Sequence, residues 1–142
     1  MSKKTDERPT PDDLFNLLND EFHFEIDLAA SDLLHKLPNY YTKVNSAFNH
    51  KWTGVNFCNP PYSNIIPWLN YGSEQNACTV YILPCDTSTR WFHDYLWNNV
   101  LHKPIPNIQL RFPRGRFKFG KIGSPKFATI IAVMENRNES NQ

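Results

Sequence analysis

Residues 52–62 read Trp52-Thr53-Gly54-Val55-Asn56-Phe57-Cys58-Asn59-Pro60-Pro61-Tyr62. The first seven are rich in aromatic and β-branched side chains, the composition of a short buried strand. Two consecutive prolines then end any ladder, because neither can donate an N–H. Asn59 stands before a proline and is pushed toward extended backbone. The stretch predicts a stiff loop at the carboxyl end of a strand, with an amide at its root and an aromatic ring at its tip. In open α/β sheets that edge is where ligands bind.

Such a loop suits methyl transfer to an amide-like nitrogen. The exocyclic amine of adenine is a poor nucleophile because its lone pair is delocalised into the ring. Two acceptors aimed at its hydrogens would localise that lone pair and stabilise the charge that develops on methylation. Asn59 Oδ1 and the Pro60 carbonyl are the candidates, since proline keeps its C=O. Tyr62 can stack on a planar base, worth about 1–3 kcal/mol. The bland alternative is an Asn-Pro turn with an incidental second proline.

Upstream, Arg8-Pro9-Thr10-Pro11 opens a helix, with Thr10 as N-cap, Pro11 in the first turn and Asp12 and Asp13 complementing the dipole. Leu14, Phe15, Leu17 and Leu18 give it an apolar face to about Asp20. Residues 22–28 (FHFEIDL) alternate and predict a strand. Asp27 sits at its end, before Ala29 and Ala30. An acid at a strand end beside small residues is a cofactor-site arrangement, since the backbone can approach a ligand while the acid holds an amine or hydroxyl; a helix-capping Asp is the alternative. Residues 33–37 suggest a helical turn stopped by Pro38, 40–42 a short strand, and 45–50 a loop.

Downstream, 64–75 predicts a helix with Pro67 in its first turn, and 78–83 (CTVYIL) a central strand. Pro84-Cys85-Asp86-Thr87-Ser88 is a second polar strand exit, with Ser88 capping a helix over 89–98. After a linker holding Pro104 and Pro106, 108–112 and 127–134 are the last strands. Between them, 111–126 carries Arg111, Arg114, Arg116, Lys118, Lys121 and Lys126, six of the chain's 15 basic residues, with no acid. Phe112, Phe117 and Phe119 interleave with the charges and three glycines punctuate it. This is a phosphate-tracking surface, or a solvated hairpin whose phenylalanines face the core.

With 142 residues, 40% of them hydrophobic and 14% aromatic, the chain predicts one packed domain over 9–135, between a loose stretch 1–8 and a polar tail 136–142. Net charge is only +1, so the distribution of charge says more than its sum. No apolar run spans a bilayer and the N-terminus is not a signal peptide, so the expectation is a cytosolic protein. The three cysteines, Cys58, Cys78 and Cys85, read as buried free thiols, and no metal-ligand spacing occurs.

In this order, the Thr-Pro helix, the Asp-Leu-Ala-Ala exit, Asn-Pro-Pro-Tyr with Trp68, the Pro84/Asp86-Thr87-Ser88 stretch with Trp91-Phe92, and Arg111/Gly115-Arg116 resemble the phage-encoded DNA N6-adenine methyltransferase family, often called Dam-like, over about 10–134. The resemblance implies an α/β, class I S-adenosylmethionine-dependent methyltransferase fold, Rossmann-like, with a mostly parallel twisted sheet closed by a C-terminal antiparallel hairpin. It implies S-adenosylmethionine as donor and adenine in double-stranded DNA, flipped from the stack, as acceptor, in a monomer or dimer. It implies catalysis by Asn59, Pro60, Pro61 and Tyr62. Donor binding falls to Thr10, Pro11, Asp27, Ala29, Ala30, Asn59 and Pro60, and DNA binding to Tyr62, Trp68, Arg111, Arg114, Arg116, Lys118 and Lys121. The acids that the family often carries before Trp52 are replaced here by Asn45 and Ser46. Rival readings are another planar amine or amide acceptor (cytosine N4, RNA adenine, protein glutamine) and an inactive nucleic-acid-binding module.

Overall fold

Cys78–Pro84 is buried at its first six positions, and Thr129–Glu135 repeats that pattern. Strands hidden on both faces belong in the middle of a sheet, and these two pair antiparallel across seven residue pairs. The computed structural model describes residues 9–114, 117–118 and 126–138. Its elements are α1 (Asp12–Phe22), β1 (Ile26–Asp27), a 3₁₀ turn (Ala47–Asn49), β2 (Val55–Cys58), α2 (Ile66–Ser73), β3 (Cys78–Pro84), α3 (Arg90–Tyr95), β4 (Trp97–Asn98), β5 (Lys103–Pro104), β6 (Ile108–Arg111), β7 (Phe117–Lys118), β8 (Lys126–Phe127) and β9 (Thr129–Glu135).

The main sheet has the order β1-β2-β3-β9-β6. Strands β1, β2 and β3 run parallel, and β9 lies antiparallel to both β3 and β6. Side chains alternate across it with period two. Phe57, Val80, Ile82, Ile131 and Val133 meet Leu14, Phe15 and Leu18 of α1, together with Phe24. Cys58, Tyr81, Leu83, Ile130, Ala132 and Met134 meet Ile65 and Leu69 at α2 and Trp91, Phe92 and Leu96 at α3. Helices therefore cover both faces of a mixed, mostly parallel sheet. Among the described residues no helix is long and apolar enough to cross a membrane.

Several local expectations are corrected. Pro11, not Thr10, holds the N-cap of α1, and no side chain caps it. The helix runs through Phe22, where a strand was expected. His23 ends it in the left-handed region, its N–H bonded to Asn19 O, and Asn19 Oδ1 takes the N–H of Phe24. Only Ile26–Asp27 of the expected strand remains. Residues 33–37 form bends rather than a helical turn, because Ser31 Oγ and Asp27 Oδ2 accept from the backbone N–H groups of Leu34 and Lys36. Tyr40 makes a single bridge to Asp27 instead of a strand. The strand over 52–58 starts only at Val55, after Gly54 at φ 65.

Ser88 does not cap α3. Its hydroxyl donates to Asp86 Oδ1, and Thr89 is the N-cap. That helix stops at Tyr95, and Asn98 instead closes a small hairpin by accepting from the N–H groups of Val100 and Leu101. Cys85 is exposed, whereas Cys58 and Cys78 are buried. The stretch 1–8, Arg116, Lys121 and the end of the polar tail lie outside the described residues.

Candidate active site

Because β1, β2 and β3 are parallel, their exits share one sheet edge. Asp27 is level with Phe57, so Asn59 emerges two residues beyond the end of β1's pairing. Pro60 is buried; Asn59, Pro61 and Tyr62 are half-buried. Asn64 N–H donates to the Pro61 carbonyl at 3.0 Å, which closes the loop as a turn. The Tyr62 ring packs against the core cluster beneath α2. Asn59 Nδ2 donates to Thr10 Oγ1 at 2.9 Å. The structure thus brings Thr10 and Asn59 together, and the hydroxyl expected to cap α1 is spent on the loop after β2.

Asp27 is 3% exposed. Its Oδ2 accepts from the Lys36 N–H at 2.9 Å, and the Ala29 N–H also acts on its carboxylate. Oδ1 has no partner among the described residues. Burial pushes the carboxyl above its ordinary value, against the opposing pull of those N–H groups. Ala29 and Ala30 are half-buried beside it, and Ala30 N–H is tied to the Tyr41 carbonyl. Lys36 then returns to α1, with Nζ 2.6 Å from Asp12 Oδ1. Thr10, Pro11 and Asp12 therefore bridge the loops after β2 and β1. Lys36 is the residue that sequence reasoning missed. It sits in a stretch with no clear periodicity, and its role comes largely from a backbone N–H, which no side-chain pattern reveals.

Asn45 and Ser46 serve local structure. Asn45 Oδ1 lies 2.8 Å from His50 Nε2, and Ser46 Oγ accepts from the Phe48 N–H to cap the 3₁₀ turn. A cavity of about 450 Å³ opens beside β1, between Ile26 and Asn56 on the sheet and Tyr40, Tyr41 and Trp52 around it. At its floor Asn56 is fully buried, and its Oδ1 has no partner among the described residues.

The candidate DNA-binding residues do not all gather at this edge. Trp68 is half-buried in an aromatic cluster, 4.5 Å from the Phe48 ring and 6.4 Å from that of Trp52, and its carbonyl accepts from Tyr81 Oη. Arg111 makes two bonds to the Glu21 carboxylate, at 2.6 and 2.7 Å, with its guanidinium over the Phe22 ring. This pairing holds the Glu21 carboxyl below its ordinary value. Arg114 is exposed. For Lys118 only its place in β7 is described, paired with Lys126.

The family model described as DNA N-6-adenine-methyltransferase (Dam) matches residues 1–140. No curated protein and no solved structure gives a significant match.

Proposed function

The chain belongs to the DNA N-6-adenine-methyltransferase (Dam) family, an enzyme of DNA adenine methylation, and from that premise we propose that the reaction takes place where the loops after β1 and β2 meet. The observation that carries this reading is the convergence of Asn59, Thr10 and Asp27 at one sheet edge. We assign 9–135 to one methyltransferase domain of the class I, Rossmann-like kind. Its support is the parallel β1-β2-β3 triplet, the reactive loops at its carboxyl edge, and the antiparallel β9 beside it.

The donor proposed is S-adenosylmethionine, which when bound would supply an electrophilic methyl on sulfur. The residues present fit it: Asp27 offers a buried carboxylate oxygen with no partner among the described residues, able to take an amine or hydroxyl, beside the small Ala29 and Ala30. Asn59 Oδ1 and the Pro60 carbonyl accept from the two N–H bonds of the adenine amine and place its lone pair toward the methyl. Tyr62 stacks on the base, which leaves the duplex at a cost of a few kcal/mol. The exposed Arg114 and the basic residues after it track phosphates; Arg111, held by Glu21, contributes less.

The test is Asn59→Ala. Donor affinity by calorimetry should change little, while turnover with labelled donor on duplex DNA should fall about 10²–10³-fold, as losing a transition-state partner does. Turnover within about threefold of wild type would remove Asn59 from the mechanism.

A further inference from the structure

We propose that Thr10 is a positioning residue for Asn59: its hydroxyl, bonded to the amide nitrogen, holds the amide in the plane that presents its oxygen to the acceptor amine. The proposal rests on the role given to Asn59 above. The bond joins residues 49 apart in sequence at 2.9 Å, and Thr10 is 2% exposed. A threonine just before a helix ordinarily caps it. Here Pro11 holds the cap position and no side chain serves it, so the Thr10 hydroxyl does work outside α1.

The chemistry gives that bond a purpose. The last torsion of an Asn side chain is broad and roughly two-fold, so sterics alone select neither end of the amide. The ends are opposite in kind, nitrogen donating and oxygen accepting. An amide turned the wrong way would aim N–H at the N–H of the adenine amine, which repels it. A hydroxyl can accept from Nδ2 or donate to Oδ1, so the bond fixes the plane of the amide rather than choosing its end; with Nδ2 on Thr10, Oδ1 lies at the other end of a held group. Thr10 is itself anchored. Phe15 N–H bonds to the Pro11 carbonyl, Asp12 pairs with Lys36, and the Lys36 N–H bonds to Asp27. The same strap that sets the acceptor amide is therefore tied to the carboxylate assigned to the donor.

The experiment is a kinetic cycle on the full chain with Thr10→Val, Thr10→Ser, Asn59→Ala and the double variant Thr10→Val/Asn59→Ala. Methyl transfer to duplex DNA is followed with labelled S-adenosylmethionine, donor affinity by calorimetry, and folding by melting temperature. Thr10→Val should lower kcat about 10–100-fold, the scale of a small misplacement of a reacting group, with donor Kd and DNA KM within about threefold. Thr10→Ser, which keeps the hydroxyl, should stay within about threefold of wild type throughout. In the Asn59→Ala background the valine should change the residual rate less than about twofold, because residues that act as a unit are not additive. An unchanged kcat, a full additional loss in the double variant, or a weakened donor Kd with kcat preserved would each overturn the proposal, the last by making Thr10 a donor-pocket residue. If the valine variant folds poorly, Thr10→Ala takes its place, and an alanine variant with intact kcat overturns the proposal equally. If Asn59→Ala keeps its turnover, the role of Asn59 fails, which is a separate result from a silent Thr10→Val.

Discussion

Gly72 in α2 lies against Tyr81 of β3, and the two are expected to fail or succeed together. A methyl added at Gly72 would fall inside the van der Waals envelope of Tyr81 Oη, 3.1 Å from Trp52 Cζ3 and 3.2 Å from Tyr81 Cζ. Tyr81 is 0% exposed and its hydroxyl donates to the Trp68 carbonyl at 2.8 Å, so it has no room to withdraw without breaking that bond. Gly72→Ala gains about 1 kcal/mol of helix propensity. Against that stand about 1–3 kcal/mol of overpacking and about 1–3 kcal/mol if the buried Tyr81 hydroxyl is pushed off the Trp68 carbonyl and left without an acceptor. The net expectation is a loss of about 1–5 kcal/mol. Tyr81→Phe alone should cost about 1–2 kcal/mol for the missing bond. The double variant removes the obstructing oxygen, and the remaining contacts yield to a shift of a few tenths of an ångström. It should therefore be no less stable than Tyr81→Phe, a favourable coupling of at least about 1 kcal/mol. Urea unfolding of the four proteins measures this cycle. Losses that add to within about 0.5 kcal/mol, the behaviour of independent sites, would refute the reasoning.

Asp27→Asn should weaken donor binding and at the same time flatten the dependence of stability on pH. Because burial raises the Asp27 carboxyl above 3.8, the folded chain holds that proton to higher pH than the unfolded chain. Stability is then lost as pH rises from 3.8 through the folded value, and the asparagine variant should not show that loss in urea unfolding between pH 4 and 7. Unchanged donor affinity in calorimetry would make Asp27 a structural acid only. Arg114→Ala should reduce the slope of log affinity for DNA against log salt by about 0.9, one phosphate contact. Arg111→Ala should leave the slope nearly unchanged and cost about 0–1 kcal/mol of stability, as an exposed ion pair does; an equal fall in slope for both would contradict the assignment of Arg111 to Glu21.

The sequence made the central strands and the loop after β2 legible because their signals are local. The apolar run 78–83 and the double proline after Cys58 each impose a conformation on their own residues, and β2, β3 and α2 lie where those signals fall. The stretch between β1 and β2 was not legible. Its order comes from bonds between distant backbone groups, such as Asp27 N–H to the Asn39 carbonyl and Tyr41 N–H to the Asp27 carbonyl, which leave no periodic trace. Thr10 was misplaced for a related reason. Its hydroxyl faces two possible employers, the helix beside it and a loop 49 residues away, and only the tertiary fold decides between them. Trp68 and Arg111 resemble ligand-facing residues in a linear reading, yet an aromatic cluster and a carboxylate on α1 claim them.

The order of strands also bears on how the protein is made. The strand inserted between β3 and β6, β9, is the last of the described strands to leave the ribosome. Until it arrives, β3 has a vacant flank along its whole apolar length and β6 has no neighbour to pair with. At a synthesis rate of about 5–20 residues per second, the nascent chain must keep this slot closed to other chains for seconds, and an unpaired apolar edge is a template for association. Premature termination is therefore more damaging here than the early position of the loop after β2 suggests. A fragment that ends before Thr129 keeps every residue of the loop after β2 and loses the strand that pairs with β3 along its whole length.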